Sequence, residues 1–104
     1  MKLLRIVDKS EPSNPLKVSV FRKEMRKTEP HKHNNYMELI FLSEGSGNHF
    51  IDQYRYEIQP PTIFLVRKEQ VHYWDLTAEP EGFVLILKNE FLERSTDGAL
   101  KLWL

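Results

Sequence analysis

The stretch "HKHNNYMELIFLSEG", His31 to Gly45, sets two histidines and a glutamate beside an aliphatic run that closes on glycine. Met37 to Ser43 is apolar at nearly every position, the pattern of a strand buried on both faces. His31 and His33 are two apart, so in an extended segment both imidazoles point to one face. Glu38 follows five residues later, an odd step that reverses the face in a straight strand. A turn at Asn34-Asn35 undoes the reversal, and asparagine tolerates the left-handed conformation of such a bend. His72, in "RKEQVHYW", can approach from a neighbouring strand. Three imidazoles and a carboxylate (His31, His33, Glu38 and His72) are a donor set for Zn, Mn, Fe or Ni. A His-x-His pair alone supports a blander reading, two surface histidines that bind nothing.

Outward from this stretch the chain reads as short strands separated by turn signals, at the spacing of a sandwich or barrel. "LKVSVF" alternates, with Leu16, Val18 and Val20 on one side. "NHFI" and "YRYEI" flank Asp52-Gln53 as a hairpin, with Tyr54, Tyr56 and Ile58 on one face and Arg55 and Glu57 on the other. Pro60-Pro61 stops it. Thr62 to Val66 and Gly82 to Lys88 are β-branched and aromatic runs, and "TAEPEG", Thr77 to Gly82, is a loop. Asn89 to Arg94 reads as a short helix with Asn89 at its N-cap. "DKSEPSNP", Asp8 to Pro15, is the nearest thing to a linker, so residues 1–15 read as an arm. The close, "GALKLWL", is either a last element docked on the core or the start of a segment that continues.

One domain is the expectation for 104 residues with 40% hydrophobic and 29% charged content. Fifteen basic residues balance fifteen acidic ones, which gives no electrostatic footprint for gripping a phosphate backbone. The basic cluster "RKEMRK", Arg22 to Lys27, therefore reads as a solvated edge. Without cysteine there is neither a disulfide framework nor a thiolate site. No signal peptide or membrane span is apparent, so a cytoplasmic protein is expected. His49 lies outside the motif and reads as an exposed strand residue.

The span from His31 to Leu92 resembles the N-terminal cupin of AraC-type transcriptional regulators. The resemblance runs through His31, His33, Tyr36, Glu38-Leu39, Gly45-x-Gly47, His72-Tyr73-Trp74 and Phe83 to Leu92. Pro61 replaces the usual leading glycine of the second cupin motif, and "RKEQVH" replaces its Pro-x-Gly turn.

The resemblance implies a mainly β double-stranded β-helix, a jelly-roll barrel over residues 16–95 with a short C-terminal helix. It also implies an N-terminal arm (1–15) and the start of a following segment (96–104). The implied function is effector sensing and dimerisation for a bacterial regulator that reaches DNA through a domain absent from this chain. His31, His33, Tyr36, Glu38, His72 and Trp74 would line the pocket for a small-molecule effector such as a sugar. No cofactor is required, though a divalent metal on His31, His33, Glu38 and His72 is compatible, and enzymatic activity is not expected. The alternative is a stand-alone small cupin metalloenzyme, a dioxygenase or sugar isomerase.

Overall fold

A computed structural model describes residues 4–10 and 14–90. Nine strands follow in chain order: β1 (Arg5–Ile6), β2 (Leu16–Val20), β3 (His31–Lys32), β4 (Tyr36–Glu44), β5 (Gly47–Ile51), β6 (Tyr54–Glu57), β7 (Thr62–Val66), β8 (Val71–Leu76) and β9 (Glu81–Lys88). They form a five-stranded sheet, β1-β3-β8-β5-β6, and a four-stranded sheet, β2-β9-β4-β7. Every pairing is antiparallel except β1 with β3. The sheets enclose a core that includes Phe21, Ile40, Leu42, Phe64, Trp74 and Ile86. Each such side chain contributes roughly 1.5–3 kcal/mol by leaving water. The mainly β barrel expected from the strand pattern is the architecture observed.

The hairpin forms around Asp52-Gln53, with His49 opposite Tyr56 and Ile51 opposite Tyr54. Asp52 takes the left-handed conformation that a two-residue turn requires, at φ 54°. Gly47 opens β5 at φ 112°, where an added Cβ would run into the Asp75 carbonyl, so the glycine permits a close approach of β5 and β8. The loop between β8 and β9 is also as expected. Of the short helix, Asn89 and Glu90 are described and are helical; residues 91–94 and the segment 96–104 lie outside the described residues.

Three expectations need correction. β4 is buried on its inner face at Tyr36, Glu38, Ile40 and Leu42, whereas its outer face opens from Met37 (5% exposed) to Phe41 (37%). The apolar run therefore does not mark burial on both sides among the described residues. Asn34 and Asn35 do make the bend between β3 and β4, but neither has a positive φ. The left-handed residue near the site is Glu69, at φ 70°, in the turn before β8.

His49 is fully buried rather than exposed. The β5–β8 register sets Gly47, His49 and Ile51 opposite Leu76, Trp74 and His72, so His49 shares the inward face with Ile51. Its alternation with Ile51 was the available signal.

β2 inverts the usual polarity. Leu16, Val18 and Val20 are exposed on the outer face, while Lys17 and Ser19 point inward. Pairing places Lys17 beside Ile86 and Ser19 beside Val84; the same Ile86 pairs with Glu38 on β4. A row of side chains thus runs Lys17, Ile86, Glu38, Val66 across the inner face.

Candidate functional site

Register assembles the histidines. His31 on β3 pairs with His72 on β8, and Arg5 on β1 pairs with His31, which sets all three on one row of the five-stranded sheet. His33 lies just beyond β3, before the Asn34-Asn35 bend, and its ring turns inward to complete exclusion from solvent. The bend then returns the chain into β4 with Tyr36 and Glu38 on the inner face. The loop before β8, despite lacking the Pro-x-Gly turn, is fixed to this corner. Glu69 N–H donates to the His33 carbonyl at 2.7 Å, and Lys32 Nζ meets Glu69 Oε2 at 2.7 Å.

Ligand atoms of His31, His33 and His72 all lie within 4.8 Å of one another. His33 Nε2 is 3.0 Å from His72 Nε2 and 2.8 Å from Glu38 Oε1; His72 Nε2 is 3.5 Å from the same oxygen. Lys9 Nζ reaches Glu38 Oε2 at 2.7 Å. These are contacts of charge and proximity, because neither Glu38 oxygen has a donor aligned for a hydrogen bond. Burial alone would raise the Glu38 pKa, but the closeness of His33 and the Lys9 charge outweigh it and hold the carboxyl below its ordinary value.

Two residues outside the expected set complete the cluster. His49 Nε2 lies 2.9 Å from His72 Nδ1, which fixes the His72 ring with Nε2 toward Glu38, and the His49 ring stacks on Trp74 at 3.5 Å. Burial pushes His49 down to about 2 and His72 down to about 3, so both are neutral imidazoles. Burial lowers His31 as well, against the opposing hydrogen bond from its Nδ1 to the Glu29 carbonyl at 2.7 Å.

The second newcomer is Lys9, together with the backbone around it. His33 Nδ1 donates to the Val7 carbonyl at 2.7 Å, Tyr36 hydroxyl lies 3.3 Å from that carbonyl, and Lys9 N–H donates to the hydroxyl at 3.0 Å. Burial raises the Tyr36 pKa, so the phenol stays protonated. A long-range contact across 26 to 29 positions carries no local pattern, which is why Lys9 could not be read from the chain.

The donor set fits a divalent ion, on an observation internal to the site. Both Glu38 carboxylate oxygens are buried without a hydrogen-bond donor, while ligand nitrogens of His31, His33 and His72 gather within 4.8 Å of one another. A buried anion beside three imidazoles is a donor set that suits a divalent ion. His31, His33, His72 and Glu38 would hold such an ion, and the Lys9 ammonium is the cation beside Glu38 that it would displace.

A cavity of about 650 Å³ opens beside the cluster. Of the six expected pocket residues, His31, Glu38 and Trp74 are in its wall, whereas His33, Tyr36 and His72 stand behind it. Arg5, Val7 and Lys9 form part of the same wall. Among the described residues no helix is long and apolar enough to cross a membrane.

A family model described as the AraC-like ligand binding domain matches residues 15–102. No curated protein matches the chain. Solved structures do. A cupin protein from Bacteroides fragilis aligns at TM-score 0.51 and 19% identity, over 71% of this chain and 64% of its own. A protein from Photorhabdus luminescens aligns at TM-score 0.55 and 18% identity, over 78% and 72%. A cupin 2 conserved barrel domain protein from Rhodopseudomonas palustris aligns at TM-score 0.57 and 9% identity, over 91% and 74%. At these identities the likeness shows the fold, a cupin barrel. The chain spans less than two thirds of the Bacteroides protein's length.

Proposed function

Because the chain belongs to the AraC-like ligand binding domain family, we propose that it is the effector-sensing domain of a bacterial transcriptional regulator. The regulator works in the cytoplasm as a homodimer and reaches DNA through helix-turn-helix units outside this sequence. Ligand binding shifts a population: an effector that prefers one arrangement of barrel plus arm biases the dimer.

The observation that carries this reading is the shared wall. Arg5, Val7 and Lys9 close the cavity while the arm's Val7 and Lys9 are tied to His33, Tyr36 and Glu38. A molecule in the cavity cannot avoid the arm, so its binding energy differs between arm-closed and arm-open states. The cavity volume lies in the range of small-molecule sites.

Deleting residues 1–15 is expected to change the dimer dissociation constant, measured by analytical ultracentrifugation. An unchanged constant together with unchanged effector affinity would sink the arm's role. The histidine cluster supports a second reading, a small metalloenzyme in which a bound divalent ion would act as a Lewis acid at an open position. Stoichiometric zinc that disappears in His33→Ala, with turnover of a substrate, would favour it over the sensor.

A further inference from the structure

The cavity wall has a charge that the whole chain lacks. Arg5, Lys9, Lys17, Arg22 and Lys27 line it, against two carboxylates, Glu29 and Glu38; Arg22 is itself paired with Glu24, and Lys17 Nζ donates to the Lys9 carbonyl. Glu38 is already held by Lys9. In a chain with as many acidic as basic residues, this concentration is local.

The strands show how it arises. Along the arm, Arg5, Val7 and Lys9 alternate toward the cavity while Ile6 and Asp8 do not line it. On β2 the inward positions go to Lys17 and Ser19 while Leu16 and Val18 face out, and Val20 at the strand's end reaches the cavity rim. An inward lysine on an edge strand can serve merely to discourage edge-to-edge pairing. That role needs one charge on one strand, whereas here three separate segments contribute: the arm, β2 and the loop after it. The lining also carries apolar side chains, among them Phe21, Met25, Ile40, Trp74 and Ile86. Cations at a concave mouth focus their field inward.

We propose that the effector is a small amphipathic anion, with a carboxylate or phosphate head met by the cations and an apolar body against Trp74 and Ile40. This assignment rests on the effector-sensing reading above and names its ligand class. It departs from the neutral sugar suggested by the resemblance, because hydroxyl recognition has no need of an excess of cations.

The test titrates the chain with 4-phenylbutyrate, phenyl phosphate, 4-phenylbutyramide and glucose, by calorimetry at low and high salt. One of the two anions is expected to bind at least about tenfold tighter than the amide, with affinity falling as salt rises. Which anion it is assigns the head group. Lys17→Gln, and separately the double variant Arg5→Gln with Lys27→Gln, should weaken the anion by about tenfold and leave the amide unchanged. Circular dichroism checks that each variant keeps the fold. Glucose or the amide binding as tightly as either anion would overturn the anionic class and leave the sensor reading standing. Silence of all four probes, with dimerisation also unchanged after deletion of residues 1–15, would overturn both.

Discussion

The barrel interior holds two polar regions that accommodate charge in opposite ways. Around His33, His72 and His49 the side chains are almost wholly excluded from water, and each imidazole leans on another or on Glu38. Around Arg5, Lys17 and Lys27 the cations face a cavity open to solvent, where hydration offsets the repulsion among them. A dry cluster must therefore be matched almost atom for atom, because an isolated buried charge costs many kcal/mol. A wet one can keep surplus charge, because water screens it. Lys9 belongs to both, with its ammonium on buried Glu38 and its side chain 44% exposed.

The sharpest way to break this contrast is to remove the carboxylate. Glu38→Ala should lower unfolding stability by on the order of 3 kcal/mol, measured by urea denaturation, because the buried His33 and the Lys9 ammonium lose the carboxylate they pack against. A loss no larger than that of Lys17→Ala would mean that water already reaches the cluster.

Acid should act on the dry region first. Burial holds the folded pKa of His49 and His72 far below the ordinary 6.5, so below pH 6.5 the unfolded chain binds protons that the folded chain refuses. Stability therefore falls as pH drops from about 6.5 toward 3, by about 2 kcal/mol per histidine between pH 7 and 5. Glu38 adds its own loss below the ordinary carboxyl value of 4.5, as protonation overtakes a depressed pKa. In His49→Leu the upper part of this slope should flatten; a stability curve parallel to that of the parent would refute the assignment.

Where the two regions meet, Lys9→Ala should raise zinc affinity about tenfold in a competition titration, since the ion no longer displaces an ammonium from Glu38. Lys9→Arg should not. Equal affinity in all three proteins would show that Lys9 and a metal ion do not compete. The smallest effect is expected outside the barrel. Val18→Thr, on the outer face of β2 at 63% exposure, should change stability by less than about 0.5 kcal/mol. A larger loss would show that this face is covered.

Much of the fold was legible because β-strands announce themselves by composition and by what stands between them. The Asp52-Gln53 hairpin, β7 and β9 were readable within a residue or so, and His31, His33, Glu38 and His72 were readable as one group. What was not legible is instructive. His49 lies outside any motif, and only its spacing from Ile51 places it on an inward face. Val18 and Val20 show the converse: alternation separates the two faces of a strand without saying which one is inside.

The sequence by itself determined a mainly β fold, the Asp52-Gln53 hairpin, a neutral balance of charge and the histidine and glutamate positions that could meet. Local spacing encodes these things, since period-two alternation and turn chemistry act within a few residues. Only the tertiary structure decided that Lys9 sits on Glu38, that His49 holds His72, and that β2 turns its lysine inward. Those outcomes depend on which strands become neighbours. That choice belongs to the packing of two sheets around one core, over separations of 23 to 39 residues between the partners in the cluster.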